Sequence, residues 1–163
     1  MTRLPGTVAA LVIGALGTAS AAEVTQTVTT TASPAKVWSM IGGFDTIGTW
    51  LPGAASSPAD HGNTVGSVRV ITLKAPGDPT VTEKLTARKG THYSYAILKV
   101  DPKVLPVTSY TATISVTKVG AGSEVTWHGS FKPAGGVDDA GAEKAVSGLY
   151  RSGLDNIKAM AEK

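Results

Sequence analysis

From residue 23 onward, hydrophobic and polar positions alternate along most of the chain with a period of two. In residues 107–119, Tyr110, Ala112 and Ile114 fall on one face of an extended chain, and threonines and serines occupy the other. Such alternation is typical of antiparallel strands with one buried and one solvated face. The pattern therefore predicts an antiparallel sheet that is covered on one side.

The alternating segments predict six strands and a weaker seventh. The six cover residues 24–31, 67–74, 81–88, 92–100, 107–119 and 123–132, and the weak candidate covers 55–59. Gly- and Pro-rich residues at 76–79 and 120–122 predict hairpin turns between neighbouring strands. On the strand 81–88, Val81, Glu83, Leu85 and Ala87 are expected to face inward and Arg88 outward.

Helical spacing is found in three places. Ser33 and Pro34 form a helix start, followed by apolar residues at helical intervals, and residues 44–50 predict a second short helix. Asp138 and Asp139 precede a longer stripe. Its members are Val146, Leu149, Tyr150, Leu154, Ile157 and Met160. The order of one strand, two short helices, a strand meander and a long helix predicts an α+β fold.

The first 22 residues differ from the rest of the chain. Arg3 is their only charge, residues 8–16 are apolar apart from Gly14, and residues 19–22 are small. This arrangement is typical of a secretory signal peptide, and it is shorter than the roughly 20 apolar residues of a membrane span. We therefore expect a signal peptide at 1–22, a single domain at 23–163 and a periplasmic mature protein without a membrane span.

Composition narrows the possible functions. The 163-residue chain has 15 Lys and Arg against 12 Asp and Glu, without runs of like charge. So weak an excess argues against nucleic-acid binding. The chain contains no cysteine, which excludes disulfides, thiolate-bound zinc and thiol catalysis. The three histidines are scattered, and no serine, histidine and acid converge, so neither a metal site nor a hydrolase is expected.

Short motifs along the chain resemble a known superfamily. They are Ala35-Lys36-Val37-Trp38, Phe44-Asp45 through Trp50, Gly66-Ser67-Val68-Arg69, Glu83-Lys84-Leu85, Tyr93-Ser94-Tyr95, Tyr110, Ser123-Glu124-Val125-Thr126-Trp127 and Gly153-Leu154-Asp155-Asn156-Ile157. Their order and spacing are similar to those of the START-type, birch-pollen-allergen-like helix-grip proteins, also called SRPBCC or polyketide cyclase/dehydrase proteins. With the predicted signal peptide, the chain is most similar to exported MxaD-like proteins, a methanol-oxidation accessory group.

The resemblance implies a helix-grip fold. A curved antiparallel sheet of six to seven strands would wrap around the long C-terminal helix, and two short helices would follow the first strand. The resemblance also implies a cavity between sheet and helix that binds a hydrophobic or amphipathic small molecule or lipid, without a cofactor. In an MxaD-like accessory role, the partner would be a protein such as a periplasmic dehydrogenase. The alternative is a metal-free lyase of the cyclase/dehydratase type that uses Arg69, Glu83 and cavity tyrosines.

Two charged residues share inward faces with apolar ones. Arg69 shares one face of its strand with Ile71 and Leu73, and Glu83 shares one face of the next strand with Val81 and Leu85. Burying either charge alone would be costly, so the two should pair with each other or with a polar ligand group. A hairpin centred near Gly77 places them diagonally, about 7–8 Å apart, which an Arg side chain can span. They are either a ligand anchor or a structural ion pair, with Glu83 expected closer to the ligand.

The other candidate cavity residues are aromatic or apolar. Tyr93, Tyr95 and Tyr110 would need hydroxyl partners when buried, and each either contacts a ligand or packs in the core. Trp50 is expected nearest the cavity mouth, where it would stack on a ligand. The remaining candidates are Ile71, Leu73, Leu85, Ile97, Ile114, Trp127, Phe131, Leu149 and Gly153. Together they should enclose an apolar space of roughly a few hundred Å³.

The predicted signal peptide has a direct test. Because residues 19–22 are small, cleavage should leave Ala22 or Glu23 as the first residue of the mature protein. Edman sequencing of protein purified from its native host checks this. An intact Met1 or Thr2 on the purified protein would contradict the prediction of export.

Overall fold

The computed structural model describes residues 21–163, so nearly all of the predicted signal peptide lies outside the described residues. The elements in this part of the chain are β1 (Ala22–Thr30), α1 (Pro34–Ile41), α2 (Ile47–Trp50), β2 (Ala54–Ser56), β3 (Val68–Leu73), β4 (Thr80–Lys89), β5 (His92–Lys99), β6 (Val107–Val119), β7 (Gly122–Pro133) and α3 (Asp139–Ala161). The strands form one antiparallel sheet in the order β1-β7-β6-β5-β4-β3-β2. The predicted α+β helix-grip architecture is confirmed, and the weak seventh strand is present as β2.

Local signals in the sequence set the ends of the helices. The Ser33 side chain accepts a hydrogen bond from the Lys36 backbone N–H, and Pro34 occupies the first helical position of α1. The Asp138 carboxylate caps α3 in the same way, by accepting from the N–H of Gly141 at 2.8 Å. Both caps satisfy backbone donors that have no partner within the first helical turn. None of the helices within residues 21–163 is long and apolar enough to cross a membrane.

The core lies between the inner face of the sheet and α3. On β7, Val125, Trp127, Gly129 and Phe131 are buried on the inner face, and the residues that alternate with them face outward. The apolar stripe of α3 covers this face, with Tyr150 and Leu154 fully buried. Helix α3 packs mainly on β1 and β7. The side of the sheet that the sequence predicts as covered is therefore the side that holds the core.

One predicted strand face is wrong beyond the middle of β4. Its pairing with β5 shifts register between Leu85 and Ala87, and a bulge of this kind reverses which residues face inward. Ala87, expected inside, is exposed. Arg88, expected outside, donates a hydrogen bond to the Gly42 carbonyl and stacks over the Trp38 ring at 5.3 Å. Strict alternation cannot anticipate this inserted residue.

Two glycines of α3 have different surroundings. A Cβ placed on Gly153 would lie 2.9 Å from Trp127 and 3.3 Å from Trp50, whereas one on Gly148 would meet nothing within 4 Å. Gly153 therefore allows the helix to approach two tryptophan rings closely, and it does not open space beneath the helix.

These surroundings predict opposite effects of the same substitution on the free energy of unfolding. Gly148→Ala should raise it by up to about 1 kcal/mol, because alanine is the better helix former. Gly153→Ala should lower it by about 1–3 kcal/mol, because the methyl group overpacks rigid rings. Urea denaturation of both variants measures the difference. A stabilised Gly153→Ala would show that the helix does not lie this close to the tryptophans.

Candidate ligand-binding cavity

A cavity of about 170 Å³ lies between the inner face of the sheet, α2 and α3. It is lined by Ile47, Leu51, Ile71, Leu73, Val81, Glu83, Tyr95, Ile97, Val104, Leu105, Tyr110, Trp127, Ala145 and Leu149. It is smaller than the few hundred Å³ expected from the sequence. A dry apolar cavity of about 150 Å³ is known to hold benzene, so this space is the size of a single ring.

The structure brings together part of the set of residues predicted to line a cavity. Those on its wall are Ile71, Leu73, Glu83, Tyr95, Ile97, Tyr110, Trp127 and Leu149. Leu85, Ile114 and Phe131 are instead fully buried in the core away from the cavity. Tyr93 packs against the rings of Phe44 and Trp38, each with its centroid 6.0 Å away.

Trp50 is not at a cavity mouth. It is 1% exposed, and its ring meets that of Trp127 edge-on at 5.4 Å. Helix α2 is a single turn that lies beneath Gly153. Trp50 therefore points into the packed region under α3. Its neighbour Leu51 lines the cavity instead. The expectation that Trp50 stacks on a ligand at the entrance is therefore wrong for this structure.

Several lining residues were missed by sequence reasoning. Ile47 is the first residue of α2 and Leu51 follows its last, and Val104 and Leu105 lie in the loop between β5 and β6. Nothing in strand alternation identifies loop residues as part of a wall. For Val104 and Leu105, the signal in the sequence that could have identified them is their apolar character inside a polar, proline-containing loop. Val81 was placed on the correct face by alternation but was not singled out.

The ion pair between Arg69 and Glu83 is closer than predicted. The two residues are direct partners in the β3–β4 ladder, not diagonal neighbours. Arg69 Nε donates to Glu83 Oε2 at 2.7 Å, and Arg69 Nη2 lies 2.6 Å from the same oxygen without hydrogen-bond geometry. No hydrogen bond from residues 21–163 reaches Glu83 Oε1. The pair therefore uses one carboxylate oxygen and leaves the other free.

Arg69 is held behind the cavity wall. Its Nη1 donates to the Phe44 carbonyl at 2.6 Å, and its guanidinium lies 4.3 Å from the Phe44 ring and 5.0 Å from the Tyr95 ring. Arg69 has no exposed surface, whereas Glu83 is 5% exposed and lines the cavity. Among residues 21–163, Glu83 is thus the only charged side chain on the wall.

Burial perturbs both members of the pair. It raises the pKa of Glu83 above its ordinary value of 4.5, while the charge of Arg69 acts in the opposite direction. Burial acts to lower the pKa of Arg69, but Glu83, Tyr93 and Tyr95 together act in the opposite direction and hold that pKa above its ordinary value. Because a guanidinium keeps its proton in proteins, a neutral Glu83 would leave a buried charge uncompensated. The ionic pair is therefore the state expected at neutral pH.

Hydroxyl groups of buried tyrosines form a second polar cluster. Trp127 Nε1 donates to the Tyr95 hydroxyl at 2.9 Å, and the hydroxyls of Tyr110 and Tyr150 bond each other. The Tyr150 hydroxyl fits because Gly129 lies beneath it; a Cβ there would be 2.1 Å away. Burial raises the pKa values of Tyr95, Tyr110 and Tyr150 above the ordinary 10.0. All three therefore keep their protons at neutral pH.

No group of three or more His, Asp or Glu residues that could hold a metal ion exists within residues 21–163. His128 Nδ1 is within 2.8 Å of the Thr25 hydroxyl on the outer face of the sheet. His61 is exposed and contacts Asp60 at 3.0 Å. These histidines lie apart from the cavity.

Replacing Arg69 and replacing Glu83 should each lower the free energy of unfolding, but the two losses should depend differently on pH. Glu83→Gln strands a guanidinium that keeps its proton, so we expect a loss of about 3–5 kcal/mol in unfolding free energy. Arg69→Met strands a carboxylate whose folded pKa lies above 4.5. The contribution of this carboxyl group to the stability of the variant is fully present below pH 4.5, where the group is protonated. The contribution is lost as the pH rises through the pKa of Glu83 in the folded state. Arg69→Met should therefore be less destabilised near pH 4.5 than at neutral pH.

Urea denaturation across this pH range measures both losses. Arg151→Met is the matched control, because Arg151 forms an exposed pair with Asp155 at 3.4 Å and should cost less than about 1 kcal/mol. The double variant Arg69→Met/Glu83→Gln should recover most of the lost stability. Equal losses for Arg69→Met and the control would show that the pair is not buried as described.

Comparison with known proteins places the chain in a family. The model of the family described as polyketide cyclase / dehydrase and lipid transport matches residues 21–162. Among solved structures, XoxI from Bacillus cereus is 31% identical with a TM-score of 0.76, over 86% of this chain and 95% of XoxI.

Two more distant structures share the fold. The Zhui aromatase/cyclase from Streptomyces sp. R1128 is 15% identical with a TM-score of 0.69, over 86% of this chain and 93% of that one. Ara h 8.0201 is 16% identical with a TM-score of 0.68, over 86% and 97%. No curated protein matches the chain. The predicted START-like, birch-pollen-allergen-like relationship is confirmed: the chain belongs to the polyketide cyclase / dehydrase and lipid transport family.

Proposed function

We propose that this protein binds a small hydrophobic or amphipathic molecule in the cavity between the sheet and α3. The observation that carries the proposal is an apolar space of about 170 Å³ inside an otherwise close-packed core, with one charged side chain on its wall. Cores of this kind contain few voids larger than a water molecule. An apolar ligand would recover the dispersion contacts that the lining side chains lack, and it would leave water on entry.

The enzyme alternative is the less well supported of the two. A cyclase or dehydratase using Arg69, Glu83 and the tyrosines requires these groups to contact the ligand. Arg69 is sealed behind Phe44 and Tyr95 and does not reach the cavity. Glu83, Tyr95 and Tyr110 do line it, but the position of Arg69 favours a structural role. Binding without turnover therefore fits the arrangement better.

We also propose that the protein acts in the periplasm after removal of residues 1–22. The support is the signal-peptide pattern in the sequence, together with the start of β1 at Ala22, so that removal of residues 1–22 would take away only the first residue of that strand. An MxaD-like accessory role beside a periplasmic dehydrogenase stays part of this proposal. Its support is the sequence resemblance and the likeness to XoxI.

Binding can be tested by filling the cavity. Toluene should bind the wild-type protein saturably and raise its melting temperature, because a ligand that prefers the folded state stabilises it. Leu149→Trp places a larger side chain on the cavity wall and should abolish this shift. Leu98→Trp is the matched control, because Leu98 is 56% exposed and is not on the cavity wall.

Calorimetric titration with toluene checks the affinities directly. The expected result is binding to wild type and to Leu98→Trp, and none to Leu149→Trp. If toluene does not bind the wild-type protein, or binds Leu149→Trp equally well, the cavity is not a ligand site.

A further inference from the structure

We propose that the cavity selects neutral, ring-sized molecules that carry a hydroxyl group and discriminates against carboxylates. This inference rests on the proposed function and adds the chemical class of ligand. The hydroxyl would donate a hydrogen bond to Oε1 of Glu83, the carboxylate oxygen that Arg69 leaves free.

The polar groups on the wall are few, and most are already engaged. Of the lining side chains, only Glu83, Tyr95, Tyr110 and Trp127 carry polar atoms. Trp127 donates to Tyr95, and the Tyr110 hydroxyl bonds that of Tyr150. The carboxylate oxygen Oε1 is therefore the strongest free acceptor on the wall. A ligand hydroxyl would donate to this oxygen without displacing a hydrogen bond within the protein.

The charge balance of the wall favours a neutral ligand. Arg69 compensates Glu83 from behind, and no cationic side chain of the described part of the chain lines the cavity itself. A ligand carboxylate would lose its hydration shell and meet Glu83 without a cation of its own. A ligand ammonium would also lose its hydration shell, and the carboxylate it would meet is already paired with Arg69. A neutral donor avoids both penalties.

A hydroxyl also matches the tyrosine beside Glu83. The Tyr95 hydroxyl accepts from Trp127, and its own proton can be donated to the neighbouring Tyr110 hydroxyl or to a ligand oxygen. Burial keeps that proton in place by raising the Tyr95 pKa well above 10.0. An alcohol can accept from one group and donate to another, because its oxygen has both functions. A carboxylate can only accept, and a hydrocarbon can do neither.

A set of single-ring probes of nearly equal size tests the inference: toluene, benzyl alcohol, benzylamine and benzoate. Calorimetric titration of the wild-type protein at neutral pH should show that benzyl alcohol binds about tenfold or more tightly than toluene. That ratio corresponds to one hydrogen bond to a charged group. Benzoate and benzylamine should each bind at least about tenfold more weakly than benzyl alcohol.

Variants of the ion pair should change this order in a defined way. Glu83→Gln leaves the charge of Arg69 uncompensated, so the preference for benzyl alcohol over benzoate should fall about tenfold or reverse. If Glu83→Gln does not fold, Arg69→Met/Glu83→Leu removes both charges and the acceptor oxygen together, and it should lose the advantage of benzyl alcohol over toluene. Glu143→Gln is the matched control, because Glu143 is exposed on α3, and it should keep the wild-type ratios.

The outcomes separate this inference from the proposed function. If toluene binds but benzoate binds as tightly as benzyl alcohol, the cavity is a ligand site without the proposed selectivity, and the inference is overturned. Unchanged ratios in Glu83→Gln would overturn it as well. If none of the four probes binds the wild-type protein, the proposed function itself fails.

Discussion

The buried salt bridge between Arg69 and Glu83 joins two neighbouring strands on the inner face of the sheet. The two residues are direct partners on the inner face of β3 and β4. A register shift of one position would therefore turn one of them outward and leave the other buried without its partner. Arg69 also donates to the Phe44 carbonyl, and the Phe44 backbone N–H donates to Asn63 at 2.7 Å. The pair thus ties the register of the sheet to the segment between α1 and α2.

The position of this pair decides the character of the cavity beside it. Aromatic rings cover the guanidinium, and only the carboxylate reaches the wall. Large side chains such as Trp50, Trp127 and Tyr150 fill most of the remaining space under α3. What is left is a small apolar volume with an acceptor on its wall. This geometry favours recognition of a compact, neutral molecule over that of a long lipid chain.

Much of this arrangement could be predicted from the sequence, because alternation and capping are local. The period of two placed Arg69, Glu83 and Tyr95 on inner faces, and Asp138 marked the start of α3. The bulge after Leu85 could not be predicted, since an inserted residue leaves no distinct signal in the pattern. Arg88 therefore turns inward against expectation.

Other parts of the site depend on tertiary packing. The partnership of Tyr150 with Tyr110 requires Gly129 to lie directly beneath the helix, and strand pattern alone does not show which residue of α3 sits above which residue of β7. Trp50 was misplaced for the same reason, because its position depends on how closely Gly153 lets α3 approach. The cavity is small because these aromatic side chains occupy space that the sequence could not assign.

We infer that Glu83 presents a free carboxylate oxygen to an apolar cavity while Arg69 neutralises it from behind. A crystal structure of the complex with benzyl alcohol tests this claim most directly. We expect the ring to lie between the sheet and α3, with its hydroxyl oxygen within hydrogen-bond distance of Glu83 Oε1 and with the contact between Arg69 and Oε2 kept. A ring bound with its hydroxyl directed away from Glu83, or an Arg69 side chain that enters the cavity to meet the ligand, would contradict it.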